Sequence, residues 1–447
     1  EDMREMFSGM VNLTSIYVNN FVTNKVTDMF KMFAGLTLVN NIDVSNFNTE
    51  ACTDTSQMFM NCDKIRDLNL NMFKDCTNLR EIRFGDNFKV SEAEKLNGMF
   101  SGCSLIKELD LSKFNTQYVK NMDYMFHNCK ELTSIKITEK SFNTKYVETM
   151  NDMFYGCNSL NSFDFRGFDT AKVKTMDRMF YSCNSFTEID ISSFSSEVLT
   201  TMSQMFYDCP KVKKITFSSS FTTNIVTEMY GVFARCTGLE TVDLSNFKFD
   251  DVDNFESLFE GCENLKEIKF STGINTAKVR NMAKMFSGCK ALENIALSNF
   301  VTSSVKDMSQ MFKDCSTLKS LNLKSFSTSK VESMLEMFSG CTNLENIELD
   351  TQKFIITFEL TTLERMFYNC QSLTSLDLSG FINSMATSSL SMFENCGKLA
   401  TLKMQNFKGE EIIDSSKMFK GCSSLETLNL NEFIGAMENT QEVFEGC

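Results

Sequence analysis

A phenylalanine, preceded in most copies by methionine, recurs at an almost constant interval along the whole chain. The steps are nearly all 25 to 29 residues, and the most frequent step is 26. A segment of that length cannot bury its own apolar side chains, but stacked copies form a continuous core. The interval therefore predicts a solenoid of repeated coils rather than a set of globular domains. These anchor phenylalanines are Phe7, Phe33, Phe59, Phe73, Phe100, Phe126, Phe154, Phe180, Phe206, Phe233, Phe259, Phe286, Phe312, Phe338, Phe367, Phe393, Phe419 and Phe444.

Each unit also contains the pattern L-x-x-L-x-L, as at Leu373, Leu376 and Leu378. This is the signature of a leucine-rich repeat, whose units have roughly 20–29 residues. The alternating L-x-L part predicts a short strand with one buried face, and an apolar spacing near three elsewhere predicts turns or short helices. We therefore predict a leucine-rich-repeat-type solenoid of about 17 coils, with one parallel sheet and a return segment of turns or short helices.

We predict that residues 1–447 form a single solenoid with one shortened coil. The anchors Phe59 and Phe73 are only 14 residues apart. This spacing predicts a short coil near residues 59–76 and a kink in the sheet there. The sequence stops within a repeat, so we expect it to be a fragment of a longer chain.

A second irregularity is predicted in the last third of the chain. The step from Phe338 to Phe367 is 29 residues, three more than the usual 26. The extra residues predict an insertion near residues 350–358 that bulges as a loop.

Cysteine has 17 copies, and sixteen of them stand three residues after an anchor phenylalanine. The other, Cys52, fills a slot that valine fills in other copies. All of them occupy core slots, which predicts a column of buried thiols acting as small apolar side chains. Disulfides between neighbouring coils are an alternative, because stacked Cα atoms about 4.8 Å apart tolerate a bridge. A zinc site is not expected, since ligands spaced one coil apart do not surround one ion.

Charge and composition disfavour several classes of function. The net charge of -14 opposes binding to a phosphate backbone, so no nucleic-acid partner is expected. No apolar run approaches the ~20 residues of a membrane span, so no transmembrane segment is expected in this sequence. The single histidine, His127, leaves no base for a nucleophilic site of the Ser/His or Cys/His type. The methionines fill periodic apolar slots. We therefore expect neither an enzyme nor a cofactor.

The outward-facing strand positions form a candidate binding strip. The middle residue of each L-x-L pattern points away from the core, and this slot and the residue before the strand carry many acids. One interpretation is an acidic docking strip for a basic or polar partner. A solubilising face is the alternative, because aromatic residues are nearly absent, and cation binding by stacked aspartates is a third option. The candidate strip residues are Tyr17, Asp43, Asp110, Asp164, Glu188, Asp190, Asp243, Glu348 and Asp377.

The whole unit resembles the repeat of the BspA-like leucine-rich repeat surface proteins. It reads Met-Phe-x-x-Cys-x-x-Leu-x-x-Leu-Asp-Leu-Ser-x-Phe-x-Thr-x-x-Val-x-x-Met and is followed closely from Met125 to Met150. The resemblance covers essentially the whole chain and departs from it at Met10 and Leu36, which fill the cysteine slot. It implies a non-enzymatic, extracellular protein of the cell surface that acts in adhesion or protein binding.

Two functions of different classes follow from these observations. The first is an adhesion or recognition module for a protein or glycan partner on a cell surface. The second is a structural subunit of a surface filament or array, which self-associates by end-to-end or lateral contacts. Polar capping segments favour the first function, and end-to-end polymers favour the second.

Overall fold

The structure is a computed structural model that describes most of the chain as two compact units, Glu1–Thr222 (unit 1) and Thr223–Cys447 (unit 2). Each unit by itself is a parallel-strand solenoid, and the prediction of one solenoid over residues 1–447 stays a prediction. Only the backbone of Asn41, Asp67 and Leu68 is described. The residues outside the description are 1, 40, 43, 45–46, 48–50, 53, 55–57, 60–61, 63–66, 69–72, 76, 81, 83–92, 113, 139–141, 357–358, 382–384, 405–406, 408, 410 and 431–437.

The strands are short and pair in parallel with the strand one coil away. Unit 1 contains β1 (Asn41–Ile42), β2 (Asp67–Leu68), β3 (Glu108–Asp110), β4 (Ser134–Lys136), β5 (Glu188–Ile191) and β6 (Lys214–Phe217). Unit 2 contains β7 (Thr241–Leu244), β8 (Glu267–Phe270), β9 (Ser320–Asn322), β10 (Asn346–Glu348), β11 (Ser375–Asp377) and β12 (Thr401–Lys403). The pairs are β1–β2, β3–β4, β5–β6, β7–β8, β9–β10 and β11–β12. This arrangement confirms the predicted leucine-rich-repeat-type solenoid.

The structure corrects two details of that prediction. The described residues make about 11 turns rather than about 17, and the described strands form pairs rather than one sheet. The reason is that in several coils the L-x-L segment, such as residues 161–165 or 292–297, is not a regular strand. The return segments are turns, and apart from 3₁₀ conformation at Phe73 the described residues contain none of the short helices offered as the alternative.

The anchor segment is a chain of turns because left-handed residues stand two positions before and two positions after the anchors whose neighbours are described. Around Phe126, for example, Tyr124 has a φ of 57° and Asn128 a φ of 58°. The later of these two slots usually holds Gly, Asn or Asp, the residues that tolerate this conformation best. With left-handed residues at these two positions, the N–H groups of Tyr124, Phe126 and Asn128 point toward the following coil. There they donate to carbonyl oxygens at 2.6–2.9 Å. Each coil therefore copies the path of its neighbour.

The core contains two columns of phenylalanine, one formed by the anchor residues and one by the phenylalanines that follow the strand segments, here called the strand-end column. In the anchor column, the ring of Phe312 stacks between those of Phe286 and Phe338 at centroid distances of 5.6 and 5.7 Å. In the strand-end column, Phe142 and Phe168 lie 5.7 Å apart. These rings are almost completely buried, and each removes ~150 Å² or more from water, worth about 4 kcal/mol before entropy is counted.

The insertion in the last third of the chain contributes one residue to the core. Residues Asp350–Phe354 form a tight turn, in which the N–H of Phe354 donates to the Asp350 carbonyl at 2.7 Å. The Phe354 ring is buried and stacks on Phe381 at 5.9 Å, as the strand-end column requires. Much of the predicted short coil at 59–76 lies outside the described residues. The described residues contain no helix that is long and apolar enough to cross a membrane.

Candidate functional site

The strip predicted from the sequence lies on the outer face of the strands, where its described members are largely exposed. Asp43 lies outside the described residues. Tyr17 is 85% exposed, and Glu188 begins β5 with its side chain in solvent. The described strip residues therefore lie at least partly in solvent, and whether they bind anything stays a prediction.

The aspartates of the strip are compensated by neighbouring groups. Parallel pairing sets Asp110 beside Lys136, and their side chains form an ion pair of 2.9 Å. A side-chain hydrogen bond from Ser112, followed by the bond from Lys136, lowers the pKa of Asp110 to about 2. Bonds from Arg166 hold the pKa of Asp164 at about 2 as well. These carboxylates are fully charged at neutral pH and already have partners.

Four more acids of the strip also have neighbouring partners. Asp377 pairs with Lys403 at 3.2 Å, and Glu348 pairs with Lys324 at 3.0 Å. Hydrogen bonds from the serine two residues later lower the pKa of Asp190 and of Asp243. Over the described residues, no group of three or more His, Cys, Asp or Glu is placed to hold a metal ion. The geometry favours the solubilising interpretation over cation binding.

A second surface feature, absent from the sequence interpretation, is a ladder of stacked aromatic side chains in unit 1. The residue after the anchor phenylalanine is His127, Tyr155, Tyr181 and Tyr207 in four successive coils. Ring centroids in this aromatic ladder are 4.7, 4.6 and 4.8 Å apart, and the tyrosine rings lie within 6° of parallel. All four side chains are half-buried. The signal was present in the sequence as a recurring aromatic at one slot.

The ladder forms because the anchor turn sends neighbouring side chains in opposite directions. The anchor rings of Phe154 and Phe180 stack inside the core at 5.7 Å, while Tyr155 and Tyr181 stack outside. Consecutive coils repeat at about the 4.8 Å spacing of paired strands, which brings equivalent rings into contact. Stacked aromatic pairs stabilise by about 0.5–1.5 kcal/mol beyond their buried area. The ladder is consequently a preformed surface.

A bidentate ion pair borders the ladder. Arg178 Nε and Nη2 each donate to an oxygen of Asp152 at 2.8 Å. The Asp152 side chain is 3% exposed and that of Arg178 is 41% exposed, so the buried carboxylate holds a partly accessible guanidinium in place. At the start of the ladder, Tyr124 packs its edge against His127 at 5.7 Å. Burial lowers the pKa of His127, which favours the neutral imidazole at neutral pH.

Two half-buried carboxylates, those of Asp123 and Asp177, lie near this pair. The Oδ1 of Asp123 accepts hydrogen bonds from the hydroxyl of Thr149 at 2.5 Å and the N–H of Asn151 at 2.6 Å. Asp177, two coils later, accepts equivalent bonds from Thr201 and Ser203. Burial raises the pKa of both carboxyl groups. These bonds tie successive coils together beneath the surface.

The cysteine column is confirmed as a row of core thiols. No disulfide joins the sixteen described cysteines, and all of them are buried except Cys447. Burial raises the pKa of the Cys315 thiol to about 12 and raises that of Cys129 further. Because the thiolate is the nucleophile, the buried thiols are chemically inert in the folded protein.

Among solved structures, three bacterial leucine-rich repeat proteins are similar to this chain. One from Bacteroides ovatus is 20% identical, with a TM-score of 0.44, over 74% of this chain and 80% of that one. A leucine rich cell surface protein from Faecalibacterium prausnitzii is 20% identical, with a TM-score of 0.36, over 67% and 78%. A third, from Eubacterium ventriosum, is 18% identical, with a TM-score of 0.39, over 83% of each. No curated protein sequence matches the chain.

Two family models match the sequence. The family described as "Mycoplasma protein of unknown function, DUF285" matches residues 1–71, 63–139, 94–218, 190–272 and 267–375. The "BspA type Leucine rich repeat region (6 copies)" matches residues 350–447. The first set of matches runs over most of the chain, and the second confirms the repeat type that the sequence resembles. The chain therefore belongs to the DUF285 family of Mycoplasma proteins of unknown function, with leucine-rich repeats of the BspA type.

Proposed function

We propose that this chain is a non-enzymatic, extracellular cell-surface protein that binds a protein partner through the aromatic ladder of unit 1. The observation that carries the proposal is the stacking of His127, Tyr155, Tyr181 and Tyr207 on an accessible face. Tyrosine and arginine are enriched among the residues that dominate binding energy at protein interfaces. The BspA-type repeat supports the surface location and the binding role.

Preorganisation is the physical reason why this face suits a partner. A tyrosine has two side-chain torsions, so it loses little entropy on binding. In the ladder even that loss is reduced, because Tyr181 is already stacked on both sides, by Tyr155 and Tyr207. The bidentate bond to Asp152 likewise holds Arg178 in one orientation. The conformational entropy of these side chains is therefore already lost during folding, so little more is lost when a partner binds.

Ring orientation favours a protein over a glycan as the partner. Sugars commonly pack on the open face of an aromatic ring, but the faces of Tyr155 and Tyr181 are covered by their neighbours in the ladder. The ladder presents ring edges, which suit aliphatic and aromatic side chains and backbone groups. The strip, with paired charges such as Asp110–Lys136, is proposed as a solubilising face that also serves as a secondary docking surface for a polar partner.

The test compares the binding of three purified proteins, the native chain and two variants, to cultured epithelial cells and to an array of extracellular matrix proteins. The ladder variant carries Tyr155→Ser and Tyr181→Ser. The matched strip variant carries Tyr17→Ser and Asp190→Lys, so it also loses a tyrosine. We expect saturable binding by the native chain, a loss of about tenfold or more in affinity for the ladder variant, and little change for the strip variant.

Three results separate the proposal from its alternatives. Loss of binding in the strip variant alone moves the site to the strip. Removal of binding by glycosidase treatment of the cells, but not by protease treatment, replaces the protein partner with a glycan. The surface location is tested separately, because protease added to intact cells that produce the chain should degrade it.

A structural subunit of a surface filament is the second candidate, and the polarity of the anchor segment favours it. In this segment the N–H groups of Gly98, Phe100 and Gly102 all donate toward the following coil, and the corresponding acceptors face the preceding one. Donor and acceptor edges of such coils are complementary, so copies of the chain can add end to end. Electron microscopy of the native protein decides: continuous fibres support the filament, and discrete particles support the adhesion module.

A further inference from the structure

Four successive turns of unit 1 hold their central residues on the outer surface. In each turn the N–H of the fourth residue donates to the carbonyl oxygen of the first, as from Val147 to Thr144 at 2.9 Å and from Val173 to Thr170 at 3.0 Å. The first and fourth residues of each turn are buried, and the third is exposed. The four segments, here called the corner turns, are residues 116–119, 144–147, 170–173 and 196–199.

The third residues of the corner turns form a row that contains exposed apolar side chains. Tyr118 is 48% exposed, Tyr146 is 41% exposed and Val198 is 36% exposed, and Lys172 stands between the last two. Buried threonine hydroxyls tie successive turns together by hydrogen bonds to carbonyl oxygens of the next coil. Because coils repeat at about 4.8 Å, the row is about 14 Å long and its members keep a fixed order.

Two lysines of the corner turns surround the ring of Tyr146. The Nζ of Lys172 lies 4.2 Å from the ring centroid, and the Nζ of Lys145 lies 5.9 Å from it. Over the residues that the structure describes, neither lysine forms an ion pair, whereas Lys174 on the same face pairs with Glu148 at 2.7 Å. An aromatic ring attracts an ammonium group through its quadrupole but carries no charge that neutralises it. Both ammonium groups can therefore pair with an incoming carboxylate.

The local charge and the length of the row favour a short acidic peptide over an anionic membrane. The central residues of the corner turns include Lys145, Lys172 and a single acid, Glu197. Exposed charges act over a Debye length of about 8 Å at physiological salt, so a short segment interacts mainly with these lysines. An extended anionic surface also meets the remaining acids of a chain whose net charge is -14. A row of about 14 Å matches roughly four residues of extended chain.

We propose that the corner turns of unit 1 bind a short, extended acidic segment of a protein partner. Carboxylates of that segment would pair with Lys145 and Lys172. Its apolar side chains would pack on Tyr118, Tyr146 and Val198. Exposed ion pairs are individually weak, so the binding should be reversible and sensitive to salt. The corner turns share no residue with the aromatic ladder, and this proposal does not depend on the proposed function.

The experiment uses the native chain and a dye-labelled peptide of three Glu-Leu repeats, whose binding is measured by fluorescence anisotropy at low ionic strength. A peptide of three Gln-Leu repeats keeps the length and the apolar side chains and lacks the charge. The site variant carries Lys145→Gln and Lys172→Gln. The matched control variant carries Lys306→Gln and Lys319→Gln, which remove the same charge from exposed ion pairs of unit 2. Tyr146→Ser tests the aromatic contact separately.

We expect saturable binding of the Glu-Leu peptide, and binding of the Gln-Leu peptide that is weaker by about fivefold or more. The site variant should weaken binding of the acidic peptide by a similar factor, Tyr146→Ser by about threefold, and the control variant by less than about twofold. Circular dichroism establishes that each variant is folded. Equal affinity for the two peptides, or equal losses in the site and control variants, would each overturn the proposal. Saturable binding to phosphatidylglycerol vesicles without binding to the peptide would replace the peptide with a membrane and overturn it as well.

Discussion

The Sγ of Cys129 donates a hydrogen bond to the backbone carbonyl oxygen of Phe100, one coil earlier, at 3.1 Å. The same bond joins Cys315 to Phe286 at 3.1 Å and recurs along the column. The anchor carbonyl also accepts the N–H of Cys103 within its own coil, again at 3.1 Å. The thiol therefore supplies a second donor to a buried carbonyl and fills a small apolar space at the same time.

This geometry predicts that the cysteine column resists alkylation in the folded protein. With a pKa of about 12 for Cys315, the thiolate fraction at pH 8 is about 10⁻⁴. Iodoacetamide followed by peptide mass spectrometry should label the exposed Cys447 and spare Cys315 until denaturant is added. Equal labelling of the two cysteines in the native protein would contradict the buried column.

Removal of one anchor ring should destabilise unit 2 strongly. Phe312→Ala deletes a ring that stacks on two neighbours, and we expect a loss of about 3–5 kcal/mol in the free energy of unfolding. Denaturant titration provides the measurement. The control is Val301→Ala, an exposed apolar residue for which a loss under about 0.5 kcal/mol is expected. A loss under about 1 kcal/mol for Phe312→Ala would argue against the phenylalanine column.

Buried threonine hydroxyls also join successive coils, and one of them both donates and accepts a hydrogen bond with the same residue of the next coil. The Oγ1 of Thr170 donates to the carbonyl of Ser195 and accepts the N–H of the same residue, each at 2.7 Å. Thr170→Val keeps the shape and leaves both groups of Ser195 without a partner, which should cost about 1–3 kcal/mol. Thr133 also donates across coils, at 3.0 Å, but from an exposed position. Thr133→Val should therefore change stability by less than about 0.5 kcal/mol in the same urea titration.

The insertion turn of unit 2 requires a glycine opposite it. A Cβ atom at Gly380 would lie 2.3 Å from the carbonyl oxygen of Thr351 and 2.9 Å from that of Phe354. Gly380→Ala should force the turn away from the core and lower stability by about 1–3 kcal/mol. Gly397 has no such neighbour within 3.8 Å, so Gly397→Ala is the matched control. Similar melting temperatures for the two variants would show that the turn is not packed as described.

Asp123→Asn should stabilise unit 1 at neutral pH and change its pH dependence. Burial raises the pKa of Asp123 in the folded state above the unfolded value of about 3.9. The contribution of Asp123 to the free energy of unfolding therefore increases as the pH falls from neutral through the folded pKa. It becomes constant once the pH is below both the folded and the unfolded pKa. An asparagine keeps the oxygen that accepts from Thr149 and Asn151, and it carries no charge to desolvate. Unfolding in urea between pH 3 and pH 7 measures the difference.

Asp164→Asn is the control, because it should change the stability at neutral pH in the opposite direction. Its folded pKa is about 2, below the unfolded value of about 3.9, so its favourable contribution is present at neutral pH and is lost as pH falls toward 2. The carboxylate is exposed, with Arg166 as its partner, so the effect should be small. A gain in stability at pH 7 for Asp164→Asn, or a loss for Asp123→Asn, would contradict the assigned environments.

The regular parts of this protein were predictable because, in a stack of repeats, equivalent residues of successive coils lie next to each other. Once Phe126 is placed, the interval of about one coil brings Phe100 and Phe154 against it, and the cysteine three residues later enters the same core. Parallel strands, buried thiols and the phenylalanine columns all follow from that single period. The repeat type follows as well, since its apolar slots are the family signature.

The charge pairs of the strip and the aromatic ladder depended on which side chains of neighbouring coils the tertiary structure brings into contact. The partner of Asp110 is Lys136, and the face of Tyr155 is covered by Tyr181, each a coil away in sequence. Sequence spacing shows which slot a residue fills, but the pairing of charges and rings depends on register and side-chain orientation. Periodicity thus determined the fold, and three-dimensional packing decided which charges and which rings of neighbouring coils contact each other.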